Sequence, residues 1–170
     1  MKKKICILGS TGSIGKTTLK IIKKDIRKYK IILLTTNKNI NLLQRQALEY
    51  NVKNLIVFDK IKYEQLKKRN QFRKINIFNN IKSFKKIFYK NKIDYTMSAI
   101  TGFHGLEPTL KIIKFSKIIA IANKESIICG WNLIEKELKK NKTKFIPIDS
   151  EHFSIWSLLD KKINKNLEKV

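Results

Sequence analysis

Short runs of β-branched and aliphatic residues alternate along the chain with longer stretches whose apolar positions recur every three or four residues. The first pattern suits strands buried on both faces, the second helices buried along one stripe. Lys4 to Leu8 reads as a strand, Ile14 to Lys24 as a helix and Lys30 to Leu34 as a second strand. Asn41 to Tyr50 reads as a helix, Leu55 to Phe58 as a strand, Tyr63 to Arg69 as a helix and Ile75 to Phe78 as a strand. Ser83 to Tyr89 carries Phe84, Ile87 and Phe88 at helical spacing and predicts a short helix. A strand from Tyr95 to Ala99, a helix from Glu107 to Phe115 with Pro108 in its first turn, and a strand from Lys117 to Ile121 follow. The helix Ser126 to Lys140 and the strand Lys144 to Ile148 complete the series. Such alternation predicts an α/β fold: a doubly wound, mostly parallel sheet with helices on both faces. No internal repeat or Gly/Ser-rich linker interrupts it. Beyond Ile148, Phe153, Trp156 and Leu159 predict one more short helix, and Lys161 to Val170 is polar.

The 170 residues suit about one domain, and 42% apolar content with nine Phe supports a real core. No apolar run nears the roughly 20 residues that a membrane span needs. The apolar stretch after Met1-Lys2-Lys3-Lys4 is too short for a signal peptide, so a cytoplasmic address is expected. Cys6 and Cys129 form no ligand cluster or disulfide framework, and both read as small buried apolar residues. With 38 Lys and Arg against 13 Asp and Glu, the formal charge is +25, which invites a nucleic-acid reading. The only arginines, however, are Arg27, Arg45, Arg69 and Arg73, and the lysines are scattered over the whole chain. Lysine lacks the planar fork that reads bases and phosphates, so the charge is read as background lysine and no specific nucleic-acid partner is expected.

Directly after the first strand stands Gly9-Ser10-Thr11-Gly12-Ser13-Ile14-Gly15, opening a helix. The spacing G-x-x-G-x-x-G differs by one residue from the dinucleotide fingerprint but has the same mechanics. Gly9 permits a tight exit from the strand, Gly12 lets backbone approach a pyrophosphate, and Gly15 lets helix and sheet pack closely. Helix N-terminal amides then face the phosphates, with the Thr11 and Ser13 hydroxyls as further donors. NAD sites usually place an acid at the end of the second strand, but here the segment is Thr35-Thr36-Asn37-Lys38-Asn39. Lys38 between amides suits a 2′-phosphate, so NADPH is preferred over NADH; by type alone it is one more solvated lysine.

Further along, Pro147-Ile148-Asp149-Ser150-Glu151-His152 puts two carboxylates and a hydroxyl just past a strand. Asp149 and Glu151 are hard oxygen donors suited to Mg²⁺ or Mn²⁺. The same triplet also makes an ordinary helix N-cap. Ala122-Asn123-Lys124-Glu125-Ser126 follows another strand with the same ambiguity, Ser126 reading equally well as a cap.

Taken together, Ile7 to Gly15, Lys38-Asn39, Ala99-Ile100 with Gly102, Gly105-Leu106, Pro108-Thr109-Leu110, Ala122 to Ser126 and Pro147 to His152 resemble the 1-deoxy-D-xylulose 5-phosphate reductoisomerase family. They recur in family order over almost the whole chain. The resemblance implies a Rossmann-like NADPH-binding domain over residues 1–148 and the beginning of a catalytic, metal-binding domain over 149–170. It implies cofactor contacts by Thr11, Gly12, Ser13, Ile14, Asn37, Lys38, Asn39, Asn123 and Glu125. Substrate contacts fall on Lys124, Ser150 and Glu151, metal ligation by Mg²⁺ or Mn²⁺ on Asp149 and Glu151, and the catalytic roles on Lys124 and Glu151. The implied reaction converts a small phosphosugar, 1-deoxy-D-xylulose 5-phosphate, to 2-C-methyl-D-erythritol 4-phosphate in non-mevalonate isoprenoid biosynthesis. The metal polarises the substrate oxygens for a carbon-skeleton rearrangement and NADPH reduces the resulting aldehyde.

Asn37 stands where the family usually has glycine, and asparagine tolerates a left-handed backbone. Phe103-His104 replaces residues that are commonly small, so Phe103 is expected to crowd the cofactor crevice, while His104 and His152 are given no role. The family's third metal carboxylate, its substrate-phosphate grip and its mobile loop fall beyond Val170. The expectation is therefore a fragment: a cofactor module lacking a complete catalytic site, from a family protein that is a homodimer. A non-catalytic NADPH-binding remnant is the alternative.

Overall fold

A computed structural model of the chain describes residues 1–69, 75–89, 92–148 and 154. Among them, seven strands form one sheet: β1 (Lys3–Leu8), β2 (Tyr29–Thr36), β3 (Asn54–Val57), β4 (Asn76–Phe78), β5 (Ile93–Ser98), β6 (Ser116–Ile121) and β7 (Lys144–Pro147). Their order is β4-β3-β2-β1-β5-β6-β7 and every adjacent pair is parallel. Six helices connect them: α1 (Ser13–Lys24), α2 (Ile40–Glu49), α3 (Lys60–Lys68), α4 (Ser83–Ile87), α5 (Leu106–Ile113) and α6 (Lys124–Asn141). The doubly wound prediction therefore holds, and the order reverses at β1, between β2 and β5.

The period-two alternation of β1 explains the two layers. Ile5 and Ile7 face α1, α2 and α3, packing with Leu19, Ile22, Leu43 and Leu66. Cys6 and Leu8 face the opposite layer, with Phe84, Phe88, Ile112, Ile134 and Leu138 from α4 to α6. In β2 a register shift opposite Ile5 and Cys6 lets Ile32 and Leu33 both turn toward the second layer, while Ile31 and Leu34 face the first. α6 buries Ser126, Gly130, Ile134 and Leu138, one residue per turn. Burying each large aliphatic side chain is worth about 1.5–3 kcal/mol, so these two layers hold the sheet edge where the loops converge.

Cys6 is fully buried, and burial pushes its thiol well above the ordinary range. Cys129 is exposed on α6, which corrects the expectation of a buried residue: it lies outside the stripe that faces the sheet. The cap of α6 is Asn123, whose Oδ1 accepts from the Ser126 amide at 2.9 Å, so Ser126 is not the cap. Strand β2 runs two residues beyond its apolar run because Thr35 and Thr36 are buried. Among the described residues no helix is long and apolar enough to cross a membrane.

Candidate functional site

The C-terminal ends of β1 and β5 part at the point where the strand order reverses, the place where open α/β sheets bind ligands. There a crevice of about 360 Å³ is walled by Gly9, Thr11 and Gly12 on the β1 turn, Thr36 and Lys38 on the β2 side, and Ile100 after β5. A larger apolar groove, about 470 Å³, lies among the strand starts and the last turns of α1, walled by Ile21, Tyr95 and Ile118. The groove has no glycine turn or helix N-terminus, so the smaller crevice is the candidate site.

Two of the three turn glycines are demanded by the protein itself. Gly9 has φ +80°, and a Cβ there would lie 2.6 Å from the Ala99 carbonyl oxygen and 2.8 Å from its carbon. At Gly15 a Cβ would meet the Ser10 Cα at 2.6 Å, so this glycine lets α1 press against the turn. Gly12 is different. Its φ of −75° and ψ of 175° suit any residue, and a Cβ would find no protein atom closer than the Gly9 carbonyl oxygen at 3.5 Å. The space it leaves belongs to the crevice. Gly12 also caps α1 with no side-chain hydrogen bond, and no acidic residue stands in the first turn. The first-turn amides and the positive end of the helix are thus available to an anion.

The turn is held from the β2 side. The Gly9 amide donates to Thr35 Oγ1 at 2.9 Å, the Ser10 amide to the Thr35 carbonyl at 2.9 Å, and the Thr11 and Thr36 hydroxyls share a bond of 2.7 Å. Gln46 of α2, 5% exposed, donates through Nε2 to the Ser10 carbonyl at 2.9 Å and accepts from Ser10 Oγ at 2.8 Å. Sequence reasoning passed over Ser10, Thr36 and Gln46. A signal existed: the inward arc Ile40, Leu43, Ala47 puts Gln46 on the buried face, where a polar residue needs a partner.

Asn37, Lys38 and Asn39 are exposed beside the end of β2. Asn39 Oδ1 caps α2 by accepting from the Leu42 amide at 3.1 Å. The positive-φ non-glycine residues among those described are Asn51 and Lys142, so Asn37 does not use the left-handed tolerance expected of it. Asp59, whose amide donates to the Asn37 carbonyl at 3.2 Å, already accepts from the Lys62 amide at 2.9 Å as the cap of α3. Among the described residues that wall the crevice none is acidic, so none offers a carboxylate to a ribose hydroxyl, and Lys38 supplies positive charge.

Across the crevice, Asn123 is 3% exposed and its amide is spent on structure. Its Nδ2 donates to the carbonyls of Ile100 and, at 2.7 Å, Gly102, tying the β5 loop to the start of α6. Lys124 and Glu125 follow it, exposed in the first turn of α6. Phe103 and His104 lie in a 3₁₀ turn, with Phe103 66% exposed, and neither is among the residues that wall the crevice of about 360 Å³. Asp149, Ser150, Glu151 and His152 lie outside the described residues, as does the helix expected around Trp156. Ile148, whose amide donates to the Ile121 carbonyl at 3.1 Å, brings the chain to the same sheet edge as the start of α6. Among the described residues no group of three His, Cys, Asp or Glu is placed to hold a metal.

A reversed-order parallel sheet with a ligand-spaced glycine turn at its crossover defines a dinucleotide-binding domain of the Rossmann type. Residues 5–130 match the family model for 1-deoxy-D-xylulose 5-phosphate reductoisomerase. The chain is 60% identical over 169 residues to the reductoisomerase of Pelagibacter ubique, covering 99% of this chain and 44% of that protein. It is 41% identical to that of Buchnera aphidicola, covering 99% and 43%. The Zymomonas mobilis enzyme in complex with NADPH superposes with TM-score 0.81 at 32% identity, over 89% of this chain and 40% of that one. A reductoisomerase complex with NADPH, fosmidomycin and magnesium gives 0.79 at 32% identity, over 88% and 37%. The chain belongs to the 1-deoxy-D-xylulose 5-phosphate reductoisomerase family, and it spans less than half the length of these relatives.

Proposed function

We propose that this chain supplies the NADPH-binding part of a reductoisomerase that converts 1-deoxy-D-xylulose 5-phosphate to 2-C-methyl-D-erythritol 4-phosphate. The observation that carries the reading is Gly12: a glycine that the fold does not require, walling a crevice onto which uncapped helix amides open. Those amides, with Thr11, Ser13 and Ile14, receive the pyrophosphate. Lys38, flanked by Asn37 and Asn39, receives the 2′-phosphate. Asn123 contributes by fixing the Ile100–Gly102 loop that forms the far wall, and Glu125 faces the cofactor from α6. NADPH, when bound, supplies the hydride. Lys124 offsets negative charge on the substrate and Ser150 and Glu151 hold it; Asp149 and Glu151 are the proposed ligands of Mg²⁺ or Mn²⁺, which supplies Lewis acidity. The domain boundary is placed after Ile148, and the working protein is a cytoplasmic homodimer.

NADPH titration of the 170-residue chain, followed by cofactor fluorescence, tests the reading. Saturable binding that strongly prefers NADPH to NADH is expected. Absence of binding, or equal binding of the two, overturns it.

A further inference from the structure

We propose that Gln46 is a positioning residue for the cofactor, one that never touches it. The inference rests on the NADPH reading above and adds a residue to which that reading gives no part. The observation is a closed pair of hydrogen bonds across 36 residues: Gln46 Nε2 donates to the Ser10 carbonyl at 2.9 Å and Ser10 Oγ donates to Gln46 Oε1 at 2.8 Å. Ser10 is fully buried and Gln46 nearly so, which shields both bonds from competing water. Ser10 has no freedom of its own, since its amide is also tied to the Thr35 carbonyl. It is the residue between Gly9 and Thr11, so its carbonyl plane sets how the next peptides, Thr11 to Ser13, face the crevice.

The same helix carries the other phosphate site. α2 begins at its cap Asn39, next to Lys38, and Gln46 lies seven residues on, about 10 Å along the axis. α2 is therefore a rigid rod with the 2′-phosphate segment at one end and a clamp on the pyrophosphate turn further along. It fixes the separation of the two anion sites before any ligand arrives. NADPH must satisfy both sites at once, whereas adenosine 2′-phosphate needs only the first. Loosening the clamp penalises the larger ligand selectively.

The test compares Gln46→Met, close in volume but unable to hydrogen-bond, with wild type in the 170-residue chain. Three readouts are taken: affinity for NADPH, affinity for adenosine 2′-phosphate, and amide hydrogen exchange in the ligand-free protein. Gln46→Met is expected to weaken NADPH by about tenfold, because binding must then also order the turn that the clamp holds ready in the wild type. Adenosine 2′-phosphate should stay within about twofold, by the same argument that its site lies outside the clamp. Amides of Thr11 to Ile14 should exchange faster while those of β6 and α6 do not. Ser10→Ala removes the hydroxyl leg of the clamp, with its 3.3 Å contact to the Thr35 carbonyl, but keeps the Gln46 Nε2 bond to the Ser10 carbonyl, and should give a smaller loss in the same direction. Unchanged NADPH affinity overturns the proposal, and so does proportional loss of both ligands, which marks general damage. If wild type binds adenosine 2′-phosphate and NADPH but Gln46→Met is indifferent, only the clamp falls. If wild type binds neither, the cofactor reading falls and the clamp with it.

Discussion

The glycines of the first turn separate what the fold needs from what the ligand needs, and alanine and valine scanning reads the two apart. Gly12→Ala places a methyl in ordinary contact with the Gly9 carbonyl oxygen, at 3.5 Å, on a backbone that alanine adopts freely. Its effect on folding is expected within about 0.5 kcal/mol, and a small stabilisation follows if restricting the unfolded chain dominates. Gly9→Ala is the opposite case. The methyl would lie 2.6 Å and 2.8 Å from backbone atoms of Ala99, on a residue at φ +80°. Left-handed strain alone costs about 1–2 kcal/mol and the clash must move a central strand end, so about 3 kcal/mol or more is expected. Gly12→Val puts branched carbons where a phosphate would meet the amides of α1. Losing one charge-assisted hydrogen bond costs about 1.5–3 kcal/mol, which is about a tenfold to a hundredfold weaker NADPH complex. Thermal denaturation gives the folding terms and a fluorescence titration the binding terms. NADPH binding by Gly12→Val at wild-type affinity refutes the assignment of the crevice. A Gly12→Ala protein as unstable as Gly9→Ala refutes the claim that the fold leaves Gly12 free.

Other expectations are simpler. Lys38→Ala should cost NADPH several-fold to tenfold in affinity and leave NADH unchanged, since an exposed lysine contributes about 1 kcal/mol to a phosphate, with the loss shrinking at high salt; competitive titration of both cofactors checks it. The Lys117 ammonium at 2.7 Å and the Lys4 amide at 2.8 Å hold the Asp94 carboxyl below its ordinary range, so its contribution is present above about pH 4 and lost as pH falls through the depressed value. Asp94→Asn should accordingly lower the melting temperature near neutrality and converge with wild type in acid, a comparison made by melting both from pH 2 to 7; a constant gap would contradict the linkage. Of the two thiols, Cys129 should react with a maleimide in the native protein and Cys6 only on unfolding, as mass spectrometry of labelled chains would show.

Strands and helices were legible wherever a run was apolar enough to fill a layer by itself. β1 and β6 lie inside the sheet and end in the fully or almost fully buried apolar runs Ile5–Leu8 and Ile119–Ile121, which announce them. Boundaries slipped where polar side chains are buried by pairing. Thr35 and Thr36 extend β2 because they bond the turn, and Ser116 opens β6 because its hydroxyl meets Thr96 at 2.7 Å. One-dimensional hydropathy cannot express such a bond, since the partner is supplied by another element.

The crevice was legible on one side for a different reason. A glycine turn is local: strand, turn and helix are contiguous, so the sequence spells out its geometry, and Gly9 and Gly15 fall where backbone contact demands them. Its rigidity is not local. Ser10 is held by Gln46 and Thr11 by Thr36, pairs 36 and 25 residues apart that only the sheet order brings together. The same holds across the crossover, where Asn123 was legible as a polar residue in a promising position but its work, closing the Ile100–Gly102 loop, is visible only once β5 and β6 are neighbours. On the proposed reading, contact with NADPH falls to residues that a local motif names, while their orientation rests on buried amides and hydroxyls from neighbouring elements. Substitutions at the first group should change whether NADPH binds, and substitutions at the second how well the turn is aimed.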